Sequence, residues 1–134
     1  MFVVDASVVL AWSFPDEQSD LADRAIDRLL GEGGLVPAHW PLEVAQAFAT
    51  AERRGRITVD DVATLRSLVV PLPVDLVTVG LDQAITMLEL ARAHDLTVYD
   101  AAYLDLARSR GLGLATVDQR LAAACRTVGV PLVD

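Results

Sequence analysis

The sequence predicts an α/β fold, a three-layer α/β/α sandwich around a mostly parallel central sheet, and three observations carry that expectation. Its strand candidates are short runs that are apolar throughout rather than alternating, as strands covered on both faces are. Segments with apolar residues at helical spacing lie between them. Capping and breaking residues fall at the joints, with no repeat, low-complexity tract or linker in between. The 134 residues suit a single domain, 1–134, with one core.

Phe2 to Val4 is apolar and β-branched and ends at Asp5, which makes it a buried strand. Leu21, Ala22, Ala25, Ile26, Leu29 and Leu30 keep helical spacing, with Gly31, Gly33 and Gly34 as the stop. Leu35 and Val36 form a second short strand. Pro41 opens a helix whose buried face includes Val44, Ala45 and Phe48, and Gly55 ends it. Thr58 caps a further helix through Val62, Leu65 and Leu68, closed by Pro71 and Pro73. Leu76 to Val79 reads as strand. Leu81 to Ala93 carries Ala84, Ile85, Leu88 and Ala91 at helical spacing, and Thr97 precedes a helix through Ala101, Leu104 and Ala107 to Gly111. Leu112 to Thr116 is the fourth strand. Asp118 caps a last helix through Leu121, Ala122 and Cys125, stopped by Gly129, and Val130 to Val133 adds an edge strand.

Composition removes several functions. All 11 basic residues are Arg and there is no Lys, so a Walker P-loop and a Schiff-base or pyridoxal enzyme are excluded. Nineteen acids give a net charge of −8, unlike a general nucleic-acid binder with its basic surface. Any nucleic-acid role must rest on local Arg or on a bound cation. Cys125 is the only Cys, which permits no intrachain disulfide and no multi-Cys zinc site. The N-terminus lacks a basic leader before its apolar run, and no apolar run approaches a membrane span of about 20 residues. These features make a soluble cytoplasmic protein the expectation.

In open parallel sheets, ligands bind beyond the carboxyl ends of the strands, and four acids fall there. Asp5 ends the first strand, Glu43 and Asp100 lie in helix first turns, and Asp118 sits between the fourth strand and the last helix. Any one of them has an ordinary role at a helix N-terminus, where a carboxylate caps free N–H groups and complements the dipole. Asp5 fits that role least, because it follows a central strand and is expected to be partly buried. Acids brought together repel and raise one another's pKa unless a cation holds them. All-oxygen ligation favours Mg²⁺ or Mn²⁺ over zinc. His39 and His94, near helix ends, are expected to be surface or capping residues rather than ligands. Arg53, Arg54 and Arg56 could guide a nucleic-acid backbone, although cations at a helix C-terminus also serve the dipole.

Four segments in order carry a family resemblance: Val3-Val4-Asp5-Ala6-Ser7, Pro41-Leu42-Glu43-Val44, Tyr99-Asp100-Ala101-Ala102-Tyr103-Leu104, and Thr116-Val117-Asp118 followed by Leu121. Together they resemble the PIN-domain nucleases, and within them the VapC-like toxins of bacterial toxin–antitoxin pairs, over the whole chain. The resemblance implies a metal-dependent endoribonuclease, usually a homodimer, with Ser7 and Thr116 supporting the acidic quartet. It also implies a small VapB-like antitoxin whose C-terminal tail wraps the toxin. A pocket of four acids suits a tail bearing Arg, because a guanidinium pairs two carboxylate oxygens and replaces the metal's charge.

Other readings fit less well. A haloacid-dehalogenase-like phosphatase needs a second Asp two residues after the first, where Ser7 stands, and both it and a phosphorelay receiver resemble patterns with a basic residue, usually Lys, beside the phosphate. A catalytically inactive PIN-like module that binds RNA or protein would be expected to have lost some of the acids, and none is lost.

Overall fold

The computed structural model describes all residues from Met1 to Asp134. Four strands, β1 (Phe2–Val4), β2 (Gly34–Pro37), β3 (Val74–Val77) and β4 (Leu114–Ala115), form one sheet in the order β3-β2-β1-β4. Every pairing is parallel, with Val3 opposite Leu35 on one side and Leu114 on the other. The helices are α1 (Ala6–Ser13), α2 (Asp20–Glu32), α3 (Trp40–Arg53), α4 (Val59–Val69), α5 (Leu81–His94), α6 (Val98–Arg110) and α7 (Gln119–Val128). They fall into two groups: α6 lies against β1, β2 and β4 with α5 and α7 beside it, and α1 packs with α2, α3 and α4. The expected three-layer sandwich is the fold. No helix is long and apolar enough to cross a membrane.

Local chemistry sets the joints. The Ser19 hydroxyl accepts from Ala22 N at the start of α2, and Gly33 (φ 72°) closes it. Thr58 and Asp61 form a reciprocal capping box on α4. Thr97 caps α6 and Asp118 caps α7, each through its own side chain. A core cluster of 33 buried residues runs from β1 through both helical layers, and Phe14, Ala51, Ile57 and Leu65 form a smaller one under the α3–α4 turn.

Several elements differ from the sequence expectation, each for a physical reason. Helix α1 was not anticipated: Ala6–Ser13 is mostly apolar, with β-branched Val8 and Val9, and it is buried over most of its surface, so no amphipathic period marks it. Strand β3 begins at Val74, two residues before Leu76, because pairing with β2 sets its register while its own side chains stay half exposed. Val130–Val133 makes only an isolated bridge, Leu132 to Leu114, not a strand. Helix α3 begins at Trp40 and leaves Ala45 exposed. On α5 the buried residues are Met87, Leu90 and Ala91, while Ile85 faces solvent.

Because all four strands run the same way, the residues after β1, β2 and β4 emerge at one edge of the sheet. Helix α6 turns at Gly111 directly into β4, so it runs antiparallel to that strand and starts at the same edge. Asp5, Glu43, Asp100 and Asp118 all lie there.

Candidate active site

Asp5 is the best-defined member. It occupies the N-cap position of α1 in an extended conformation (φ −70°, ψ 144°), but its side chain caps nothing. Only 4% exposed, it accepts on Oδ2 from Ser7 Oγ at 2.5 Å and from Thr116 Oγ1 at 2.7 Å. Each hydroxyl also accepts a backbone N–H, Val117 N on Ser7 at 3.2 Å and Asp118 N on Thr116 at 3.0 Å. With both protons committed to Asp5, the 3.3 Å approach of the two hydroxyls is a contact between acceptors. Ser7 and Thr116 therefore clamp one carboxylate oxygen while the β4–α7 backbone fixes them. Burial raises the Asp5 pKa to about 6 against the two hydrogen bonds, and the charges of Glu43 and Asp100 push the same way.

Glu43, in the first turn of α3, accepts from the Tyr103 hydroxyl at 3.2 Å. Its Oε1 also lies 2.7 Å from His39 Nε2. The approach lies outside hydrogen-bond geometry, and Nε2 has no hydrogen-bond partner. Tyr103 is fully buried, and burial, followed by the charges of Asp5 and Glu43, raises its pKa and keeps it a neutral donor. Asp100 lies in the first turn of α6, its N–H held by Thr97 Oγ1 at 3.1 Å. Burial raises its pKa, with the charges of Asp118 and Glu43 adding to the rise and His39 opposing it. Asp118 is exposed, and its Oδ1 accepts from Arg120 N at 2.9 Å and Leu121 N at 3.1 Å. Capping is thus a real role of Asp118 and not of Asp5.

A family model for the PIN domain matches residues 2–126. Ribonuclease VapC3 of Pyrobaculum aerophilum is 36% identical over 124 residues, 90% of this chain and 91% of that protein. Ribonuclease VapC3 of Mycobacterium tuberculosis is 33% identical over 122 residues, 91% of this chain and 85% of the relative. The chain belongs to the PIN-domain family, among the VapC ribonucleases. Its PIN fold is shared with the crystal structure of PAE2754 from Pyrobaculum aerophilum, at a TM-score of 0.69 and 27% identity over 98% of this chain and 90% of that one. Mycobacterium tuberculosis VapC20, described as a sarcin-ricin loop cleaving toxin, shares the fold at a TM-score of 0.62 and 18% identity, over 92% of this chain and 95% of its own.

In this PIN domain the acids are coupled without forming a cage. Asp5 feels Glu43 and Asp100, and Asp100 feels Asp118 and Glu43, yet no three His, Cys, Asp or Glu side chains stand close enough to hold one ion between them. The donor set is all carboxylate, and its most buried member has both hydroxyl donors on one oxygen. That chemistry fits Mg²⁺ or Mn²⁺, which bind through one or two carboxylates and keep several waters, better than a cation that needs a closed shell.

Two further placements complete the site. Arg56 donates to Asp16 through Nε at 3.1 Å and Nη2 at 2.9 Å, reaches Glu17 at 2.9 Å, and lies over the Phe14 ring. It lines an open groove of about 1010 Å³ together with Ser7 and Glu43. Arg53 and Arg54 close the exposed end of α3, outside that groove. His39 occupies the N-cap position of α3 but caps nothing; its ring faces Glu43. The sequence signal for His39 and Tyr103 was spacing, since they stand four residues before Glu43 and three after Asp100.

Proposed function

We propose that this chain is an endoribonuclease toxin of a VapB–VapC pair that hydrolyses RNA with a bound Mg²⁺ or Mn²⁺. The observation that carries the reading is the Asp5 carboxylate, buried and hydroxyl-clamped, its pKa raised by burial and then by the charges of Glu43 and Asp100, while burial and the charges of Asp118 and Glu43 raise that of Asp100. Asp5 and Asp100 serve as principal ligands, with Glu43 and Asp118 completing the site directly or through water. When bound, the ion neutralises charge on the phosphate oxygens and lowers the pKa of the attacking water. Ser7 and Thr116 fix the orientation of Asp5, and Tyr103 fixes that of Glu43. Without a cation the acids repel a phosphodiester; with one they attract it, which reconciles RNA as substrate with a net charge of −8. Arg56, at the groove, and Arg53 and Arg54, beyond it, are the cations available to the rest of the RNA backbone. Purified protein incubated with total RNA should release new, mappable ends in Mg²⁺ or Mn²⁺ and none in EDTA; cleavage indifferent to metal would contradict the reading.

A ribonuclease harmful to its own cell requires an inhibitor, and the acidic site supports a VapB-like antitoxin with a basic C-terminal tail. The active form is a cytoplasmic homodimer in this reading. Expressing the chain alone should arrest growth, and co-expressing the small protein encoded beside it should restore growth. Harmless expression with all four acids intact would contradict the toxin role.

A further inference from the structure

Three aromatic rings form a ladder from the core to the surface beside the acids. Tyr103, fully buried with its hydroxyl on Glu43, meets His39 edge-on, centroids 5.4 Å apart at 77°. His39 lies against Tyr99, centroids 5.1 Å apart at 57°. Tyr99 immediately precedes Asp100 and is 63% exposed, in the same groove as Ser7 and Glu43. Leu42, 75% exposed, lines that groove as well.

The core does not account for Tyr99. Helix α6 is held by Ala101 to Leu104 with Leu106 and Ala107, and Tyr99 leaves most of its surface in water. Its backing by His39 already restricts the ring, so a ligand stacking on its open face meets a surface that loses little further freedom. In a groove whose lining is largely apolar and carries the carboxylates Glu17 and Glu43, a π-face attracts a nucleobase without needing a positive charge. Only a base free of its own stack presents that face, which selects single-stranded stretches, loops and bulges over helical RNA.

We propose that Tyr99, backed by His39, is a substrate-positioning platform on which an unpaired nucleobase stacks next to the phosphate held at the acids. The inference rests on the reading of the site as a ribonuclease centre, but a binding measurement tests it separately. The probe is a single-stranded oligoribonucleotide carrying 2-aminopurine, bound to the full chain in Ca²⁺, which takes the same oxygen ligands; steady-state cleavage in Mn²⁺ is measured alongside. Tyr99→Leu should weaken binding about tenfold, abolish the fluorescence quench and raise KM to the same degree, with kcat within about twofold. Tyr99→Phe and Tyr99→Trp should stay within about twofold of the parent, and all three should melt as the parent does. The proposal is overturned if Tyr99→Leu binds like the parent, if Tyr99→Phe is as weak as Tyr99→Leu, or if Tyr99→Leu alters only self-association, which would make Tyr99 a protein contact. Binding through Tyr99 with no cleavage in Mn²⁺ would keep the platform and refute the ribonuclease reading instead.

Discussion

The clamp on Asp5 Oδ2 lowers the cost of burying that carboxylate without removing it, so the folded state holds the proton more tightly than the unfolded chain does. With a folded pKa of about 6 against the ordinary 3.8, stability falls as pH rises from about 4 to about 6, and above that the charge costs on the order of 3 kcal/mol. Asp5→Asn keeps an acceptor for Ser7 and Thr116 and removes the charge. In EDTA it should melt above the parent at pH 7.5, with the difference closing near pH 4, while cleavage is lost at both. A variant that melts lower at pH 7.5 would make Asp5 a structural anchor instead. Thr116→Val deletes a donor to Asp5 and an acceptor for Asp118 N; it should cost about 1–3 kcal/mol and raise the Asp5 pKa further, moving the acid limb of the pH–rate profile upward. Asp118 separates two roles at one residue. Asp118→Ala should lose about 0.5–2 kcal/mol of cap stability, which Asp118→Asn should retain, and both should lose activity. Full activity in a folded Asp118→Asn would leave Asp118 a cap only.

Elements with a surface period and a chemical stop or cap were legible in the sequence: α2 by its spacing and the glycines that end it, and α4, α6 and α7 by spacing behind Thr58, Thr97 and Asp118, all capping residues. What escaped lacked one of those signals. Helix α1 is buried over most of its surface, which erases the period, and its N-cap residue is the one whose side chain is diverted to the site. Strand β3 takes its register from β2, and the tail from Val130 bonds to β4 at a single bridge, so neither boundary is written in local composition. The same distinction applies to the site. Position at strand ends and helix first turns brought out the four acids, and the His39–Glu43 contact is local to the start of α3, whereas the contact of Tyr103 with Glu43 arises only when α3 and α6 meet across the sheet edge. Close packing of β2 gives a sharp test at this scale, because a Cβ on Gly34 would lie 2.6 Å from Leu29 Cδ1 and 3.1 Å from the Phe2 carbonyl oxygen. Gly34→Ala should therefore cost about 1–3 kcal/mol, readable by denaturant unfolding, through displacement of α2 from β1 and β2. An unchanged midpoint would contradict that packing.

Across the whole molecule, the parallel sheet gathers four like charges at one edge of a chain that already carries a net charge of −8. Repulsion strains such an edge and a cation would relieve it, so in the proposed reading metal binding and stability are linked by mass action. The same field favours a basic inhibitor, and a tail carrying Arg should compete with Mn²⁺ for the site. In the proposed reading, with the acids coupled but not caged, an ion would draw its affinity from the cluster as a whole, with Asp5 and Asp100 as its centre. Thermal melting of the parent and of Asp100→Asn, each in EDTA and across a Mn²⁺ titration, tests this most directly. The parent should gain about 2.7 kcal/mol at a Mn²⁺ concentration near 100 times Kd, a rise of several degrees, and Asp100→Asn should gain little over the same range. Equal melting of the parent in EDTA and in millimolar Mn²⁺, or the same gain in Asp100→Asn, would contradict a divalent centre built from these carboxylates.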